Sequence, residues 1–293
     1  MFKLFGKKQE AQPRSREEAE GTPLSRHPKA AALAAQFGEE EFDILAVTGA
    51  NAFGGGQSDE GEEYRTVTLP LTAWREDGGP IHREDTGLVA LADDKLLTYL
   101  RRLAPRDSII QVRVRQGLED DRFLMAGMPA PVMDPELKAI LDEQKKPVTF
   151  WENGLGTFAL NRAVGWFEAE GDWLGQPVRL EFDRDENRAD CLSHFHTLME
   201  GQEEWDRRVR SLAADKLLSL ANDWEADAAG SEERKAEEIT REDFISRMEL
   251  DAVQVYEDGA FDFWFNDGDL FWGHSIHVTG SLKTGPEDAQ MEG

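Results

Sequence analysis

The stretch "FWFNDGDLFWGHSIHV", Phe263–Val278, holds five aromatic residues, two aspartates, a glycine pair and two histidines. Two kinds of chemistry fit those residue types. In the first, His274 is a general base oriented by Asp267 or Asp269, as in a hydrolase, because histidine titrates near neutrality and a carboxylate can fix its tautomer. In the second, Trp264 and Trp272 with Asp267 and Asp269 form an aromatic, acidic binding surface, since tryptophan is enriched at protein interfaces. Strand periodicity separates the two histidines. At period two, Leu270, Trp272, His274, Ile276 and Val278 share one face, and Ser275, His277 and Thr279 share the other. An unbroken strand therefore keeps His274 and His277 from chelating one metal. "NDGDLFWGH" also lacks the ligand series and terminal glutamate of an EF-hand loop. A D-G turn accounts for its acids, with Asp267 and Gly268 setting a hairpin.

Other candidate chemistry is sparser. "DCLSHFH" carries Asp190, Cys191, His194 and His196. On a helix, Asp190 and Cys191 each share a face with His194, while His196 turns away, so a metal site of recognised spacing is not expected. Nothing beside Cys191 would lower its pKa and make it a nucleophile. "TGANAFGGGQ" lacks the Lys-Ser/Thr of a phosphate-binding loop and the dinucleotide-binding spacing. Arg113 and Arg115 share a strand face near Arg101 and Arg102, and pairing with local acids is expected for them. The sequence thus points to no cofactor and no metal.

These residues must be positioned by elements, and composition bounds those elements. The 293 residues carry 59 acids against 33 bases, a net charge of −26. Such a chain is repelled by phosphate backbones, which argues against nucleic acid and for a basic protein as partner. One cysteine excludes an intramolecular disulfide. The start, "MFKLFGKKQEAQ", has no signal-peptide apolar core, and no apolar run is long enough to span a bilayer. A cytoplasmic protein without stable membrane association is expected.

Charge and pattern divide the chain into a flexible arm over 1–42, a small domain over 43–146, an aromatic-rich domain over 147–285 and a disordered tail over 286–293. The third block holds 30 acids against 13 bases and is the main source of the negative charge. In the first domain "FDILAVTG", "YRTVTLPLTAW" and "DSIIQVRVRQ" read as strands, with Ile110, Val112 and Val114 inward. "RFLMAGM" can pair with the last of them, and "ADDKLLTYLRRLAP" and "PELKAILDEQKK" read as helices. In the second domain three strands, with turns at Gly165, Gly171 and Gly175, precede a helical region. An apolar stripe runs there through Leu192, Phe195, Met199, Trp205, Val209, Leu212, Leu217, Leu220 and Trp224, and "ADAAGSEERKAEE" is a solvated loop or frayed end. Thr240 caps a short helix with Asp243 at its third position. A three-strand meander over "DAVQVYEDG", "AFDFWFN" and "LFWGHSIHVTGSL" completes the domain. The fold class is α+β: two small domains, each a mainly antiparallel sheet with packed helices. Most of Trp166, Trp173, Trp205, Trp224, Trp264 and Trp272 should be core, with one or two at a rim.

"EEWDRRVRSLAADKLLSLANDW", "ITREDFISRMEL" and "DGAFDFWFNDGDLFWGHSI" together resemble a bacterial family, domain of unknown function 2262. The resemblance runs from near Phe150 to near Leu282. It implies a bacterial source and an α+β fold, and it carries over no catalytic residue. The acidic, aromatic-rich character favours an interaction module, with toxin-neutralising immunity proteins as an analogy in charge and class. A hydrolase using His274 with Asp267 or Asp269 is the alternative.

Overall fold

The computed structural model describes residues 28–55, 63–230 and 238–293. Much of the expected arm (1–27), the middle of the glycine-rich segment (56–62) and part of the expected solvated loop (231–237) lie outside the described residues. The chain divides between Lys146 and Pro147 into two compact units.

In the first unit, α1 (Pro28–Ala34) precedes β1 (Phe42–Thr48), β2 (Arg65–Glu76) and β3 (Thr86–Ala92). Then come α2 (Asp94–Leu103), β4 (Ile109–Gln116), β5 (Phe123–Met125), β6 (Ala130–Pro131) and α3 (Pro135–Gln144). β1 pairs with β2, β2 with β3, β3 in parallel with β5, β5 with β4, and β4 again with β1. The sheet therefore closes on itself in the order 1-2-3-5-4-1, with α2 bridging β3 and β4. This is the connectivity of an OB-type barrel, and closure removes the exposed strand edges. Alternation fills the barrel: Ile44, Val67, Leu69, Leu71, Leu88, Ile110, Val112, Val114 and Phe123 are buried inside. Asp93 caps α2 by accepting from Leu96 N at 2.7 Å.

The expected arm is corrected from Pro28 onward, where the chain is ordered into the unit. Leu33 and Phe37 pack on Val89 and Leu91, on the outer side of the barrel. Arg115 holds this segment by donating to the carbonyls of Ala34, Phe37 and Gly38, the acceptors a helix C-terminus leaves unpaired. Arg113 pairs with Asp43 through two hydrogen bonds, and Arg101 donates to Phe53 O.

The second unit opens with β7 (Thr149–Glu152), β8 (Gly156–Asn161), β9 (Trp166–Trp173) and β10 (Gln176–Asp183). Three helices follow: α4 (Arg188–Glu200), α5 (Gln202–Gly230) and α6 (Arg241–Arg247). β11 (Glu249–Val255), β12 (Ala260–Asn266), β13 (Ser275–Ser281) and β14 (Gly285–Glu292) finish it. One sheet runs in the order β14-β13-β12-β11-β10-β9-β8-β7. Every pairing is antiparallel except β10–β11, the seam that the helices cross over. Phe182, Val253, Phe261, Phe263, Phe265, Ile276 and Val278 face the helices and meet Phe195, Leu198, Val209 and Leu217.

Three expectations are corrected here. Residues 286–293 are not a disordered tail: β14 pairs with β13 from Ser275↔Glu292 to Ser281↔Gly285 and buries Ala289. Gly171 lies inside β9 opposite Val178, where its missing Cβ makes room for Leu180, and is not a turn. α5 continues through Ala226–Gly230, within the segment expected to be loop or frayed end.

Candidate functional site

The connection between β12 and β13 is an eight-residue loop, Asp267–His274, not a two-residue hairpin turn. Its organiser is Asp267, only 4% exposed. Its Oδ2 accepts from Phe271 N at 2.5 Å and from Gly273 N at 3.2 Å. The side chains of Leu270 and Phe271 plug the loop into the core. Four residues take positive φ: Gly268 (56°), Asp269 (64°), Trp272 (57°) and Gly273 (92°). A Cβ at Gly268 would come within 2.3 Å of Arg247 O, so only glycine fits there. For Asp269 and especially Trp272 the conformation costs energy, and it persists because Asp267 and Phe271 over-determine it.

This geometry breaks the expected strand row. Ile276 and Val278 do face the core, but Trp272 and His274 precede β13 and do not share its alternation. Trp272 is 63% exposed, with its ring 4.7 Å from Trp224 of α5. His274 meets the same Trp224 edge-on at 5.5 Å, and its Nδ1 lies 2.7 Å from Phe271 O. A carbonyl only accepts, so Nδ1 carries the proton and Nε2 is the basic nitrogen. A side chain at position 293 would collide with the Cδ2–Nε2 edge, so the chain already lies against it. The hydrogen bonds of His274 and Asp267 run to loop backbone and not to each other, and Asp269 is exposed on the loop.

Trp264 sits apart from that loop, on the face of the sheet opposite the one that packs on α4 and α5. Cross-strand register lines up two polar rows there. One runs Glu168, Glu181, Gln254, Asp262, Thr279 from β9 to β13, and its neighbour runs Glu170, Arg179, Ala252, Trp264, His277. Trp264 stacks on His277 with centroids 3.9 Å apart and planes 5° apart. His277 is 8% exposed, with Nδ1 3.0 Å from Glu292 Oε1. Its Nε2 is 3.3 Å from Asp262 Oδ1, close enough for charge attraction but off the hydrogen-bonding direction. Tyr256 Oη donates to the other Asp262 oxygen at 2.7 Å. Burial alone would lower the His277 pKa, but Asp262 and Glu292 outweigh it and hold it above the ordinary value. Burial, more than any neighbour, pushes the Glu181 carboxyl up. Period two puts Asp262 with Trp264 on one face of β12, and His277 with Ser275 and Thr279 on one face of β13. It could not bring the two strands into register, so this cluster went unrecognised.

The "DCLSHFH" residues disperse over α4. Cys191 is fully buried and burial pushes its thiol up to about 12, which removes it as a nucleophile. His194 bonds Tyr256 O through Nδ1, and His196 lies 3.2 Å from Glu152. Among the described residues no three of His, Cys, Asp and Glu converge as metal ligands. An open cleft of about 700 Å³ lies beside Trp173, Pro177, Asp206, Arg210, Leu250 and Asn266. Its cation is committed: Arg210 bonds Asp206 and Met248 O and covers the Phe265 ring.

With this sheet and loop in view, one family model matches most of the second unit. Residues 152–291 match the family described as an uncharacterised protein conserved in bacteria. That model, domain of unknown function 2262, is what the second unit resembles, and the unit takes the label 2262 domain from this match. Residues 29–144 match domain of unknown function 7021, which coincides with the barrel unit. Among curated proteins, none matches the chain. The match to the 2262 domain extends over β14, beyond the Leu282 limit of the resemblance drawn from the sequence. Among the described residues no helix is long and apolar enough to cross a membrane.

Proposed function

We propose that the 2262 domain is a docking module for a basic protein, with Trp272 as its anchor. The observation that carries this reading is the exposed Trp272 ring, held in a left-handed backbone conformation by the buried carboxylate of Asp267. A pinned aromatic loses little freedom on binding, and tryptophan is the side chain most enriched among energetically dominant contacts. The surroundings favour a cationic partner. Asp269 lies in the same loop, and Asp223 and Asp227 are exposed on α5 beside Trp224. From residue 147 onward the chain has 33 acids against 13 bases, which speeds encounter with a positive surface. A cytoplasmic setting fits this reading. The hydrolase alternative draws no support from His274, whose hydrogen bond runs to Phe271 O and which has no carboxylate partner among the described residues.

The test is affinity capture from source lysate at low salt with wild type and Trp272→Ala, followed by titration of the retained protein. A basic protein that salt releases, and that Trp272→Ala binds roughly tenfold or more weakly at unchanged melting temperature, is the expected result. Equal retention by both forms, or binding indifferent to salt, overturns the proposal.

A further inference from the structure

We infer that the imidazolium of His277 is a latch that holds the end of β14 on the sheet, and that loss of its proton to solvent frees Glu292 and Gly293. The inference goes beyond the docking reading and does not depend on it. Three observations carry it.

The first is the arrangement of acceptors. His277 Nδ1 lies 3.0 Å from Glu292 Oε1 on β14, and Nε2 lies 3.3 Å from Asp262 Oδ1 on β12. A neutral imidazole has one N–H, so either tautomer turns a bare lone pair toward a carboxylate. Imidazolium presents a proton to both. The Trp264 ring, stacked 3.9 Å away, also favours a cation. Among the described residues, the ion pairs of Asp262 and Glu292 run to His277 and to no lysine or arginine. The other polar neighbours on the flanking strands are neutral or engaged. Tyr256 donates to Asp262, Gln290 donates to Glu292 Oε1 at 2.9 Å, and Asp288 pairs with Lys216 of α5.

The second is an asymmetry between the two carboxylates. The Asp262 side chain is 15% exposed, on an interior strand, and is fixed by Tyr256. The Glu292 side chain is 42% exposed, on the edge strand. A neutral His277 therefore keeps its one proton on Nε2, toward the carboxylate that cannot turn to water. The lone pair left on Nδ1 then repels Glu292, which can.

The third is position. Glu292 ends β14 opposite Ser275, and the residue after it lies against the Trp272 loop. A Cβ on Gly293 would come within 2.4 Å of His274 Cδ2. Upstream, Ala289 is buried and Met291 packs on the core, contacts that no proton alters. Release is therefore a local opening of the strand end, with the sheet behind it intact. Asp262 and Glu292 hold the His277 pKa above its ordinary value. The latch is thus fully closed below the unfolded pKa of about 6.5 and opens as pH rises through the folded value.

The experiment follows hydrogen exchange of the full-length protein between pH 6 and pH 9, read as protection factors so that the intrinsic pH dependence is divided out. The His277 ring is titrated by NMR in the same samples. The expected result is a loss of protection of roughly fivefold at residues 290–293 as pH rises, with β12 kept within about twofold. Glu292→Gln keeps the side-chain shape and removes the charge, so it should flatten that profile and lower the midpoint of the His277 ring. His277→Gln should flatten the profile too. Lys216→Gln, which removes the other ion pair of β14, should keep it. A strand end indifferent to pH in the wild type, an unchanged profile or ring midpoint in Glu292→Gln, or a loss of protection spread equally over β12 overturns the inference.

Discussion

Asp267 does its work by hydrogen bonding to backbone, so its removal should read out as stability. Asp267→Ala leaves the N–H groups of Phe271 and Gly273 without their acceptor, and the expected loss is about 1–3 kcal/mol in urea unfolding. Trp272 behaves in the opposite way. Its positive φ costs about 1–3 kcal/mol, so Trp272→Gly should melt at or above the wild-type temperature while losing partner affinity. A marked drop in melting temperature would show that contact with Trp224 outweighs the backbone strain. His277 supplies a pH signature. Its folded pKa is raised, so its stabilisation is complete below the unfolded value of about 6.5 and is lost as pH rises through the folded value. The difference in stability between wild type and His277→Gln should therefore shrink from pH 6 toward pH 9, as measured by denaturant midpoints. A constant difference would mean that stacking on Trp264, and not charge, is what His277 contributes.

At the scale of elements, alternation was legible wherever a strand has one apolar face. Ile110, Val112 and Val114 turned inward in β4, and Phe261, Phe263 and Phe265 in β12, as their period requires. Two elements were not legible, for different reasons. β14 reads "GPEDAQME", with Ala289 and Met291 its inward apolar residues; an edge strand needs no more, and its open side tolerates Pro286. The Asp267–His274 loop depends on one buried carboxylate reaching two later amides, and that overrode the D-G hairpin signal. Removing residues 285–293 uncovers the edge of β13 and takes away Glu292. The truncated chain should aggregate on heating well below the wild-type transition, by light scattering, because a long unpaired edge invites strand addition. Unchanged thermal behaviour would show β14 to be dispensable.

For the whole molecule, the two-sheet α+β class and the sheet-rich character of each region followed from pattern alone. Closure of the first unit did not, because it rests on β1 pairing with β4 across sixty-odd residues, and periodicity carries no information about partners. The candidate site was half legible. Trp272 and Asp269 could be named from type and position, whereas the His277 cluster needed register between strands. Net charge acts at this scale too. At −26 the folded chain repels itself, so added salt should raise its melting temperature while weakening its hold on the basic partner proposed for it. Salt that moved both quantities in the same direction would contradict that account.

The β10–β11 seam has a consequence for how the 2262 domain comes into being. Three register pairs join its two four-stranded halves, and residues 184–248 must be made and folded back before they can form. During synthesis from the N-terminus, β7–β10 emerge first as a meander whose last strand, with Val178, Leu180 and Phe182, has nothing on its free side. Seam closure is then the late, slow event of maturation, since parallel pairing over a long gap demands loop closure before any reward. A nascent chain stalled in α5 would present that apolar edge to chaperones, and one released after β11 would not.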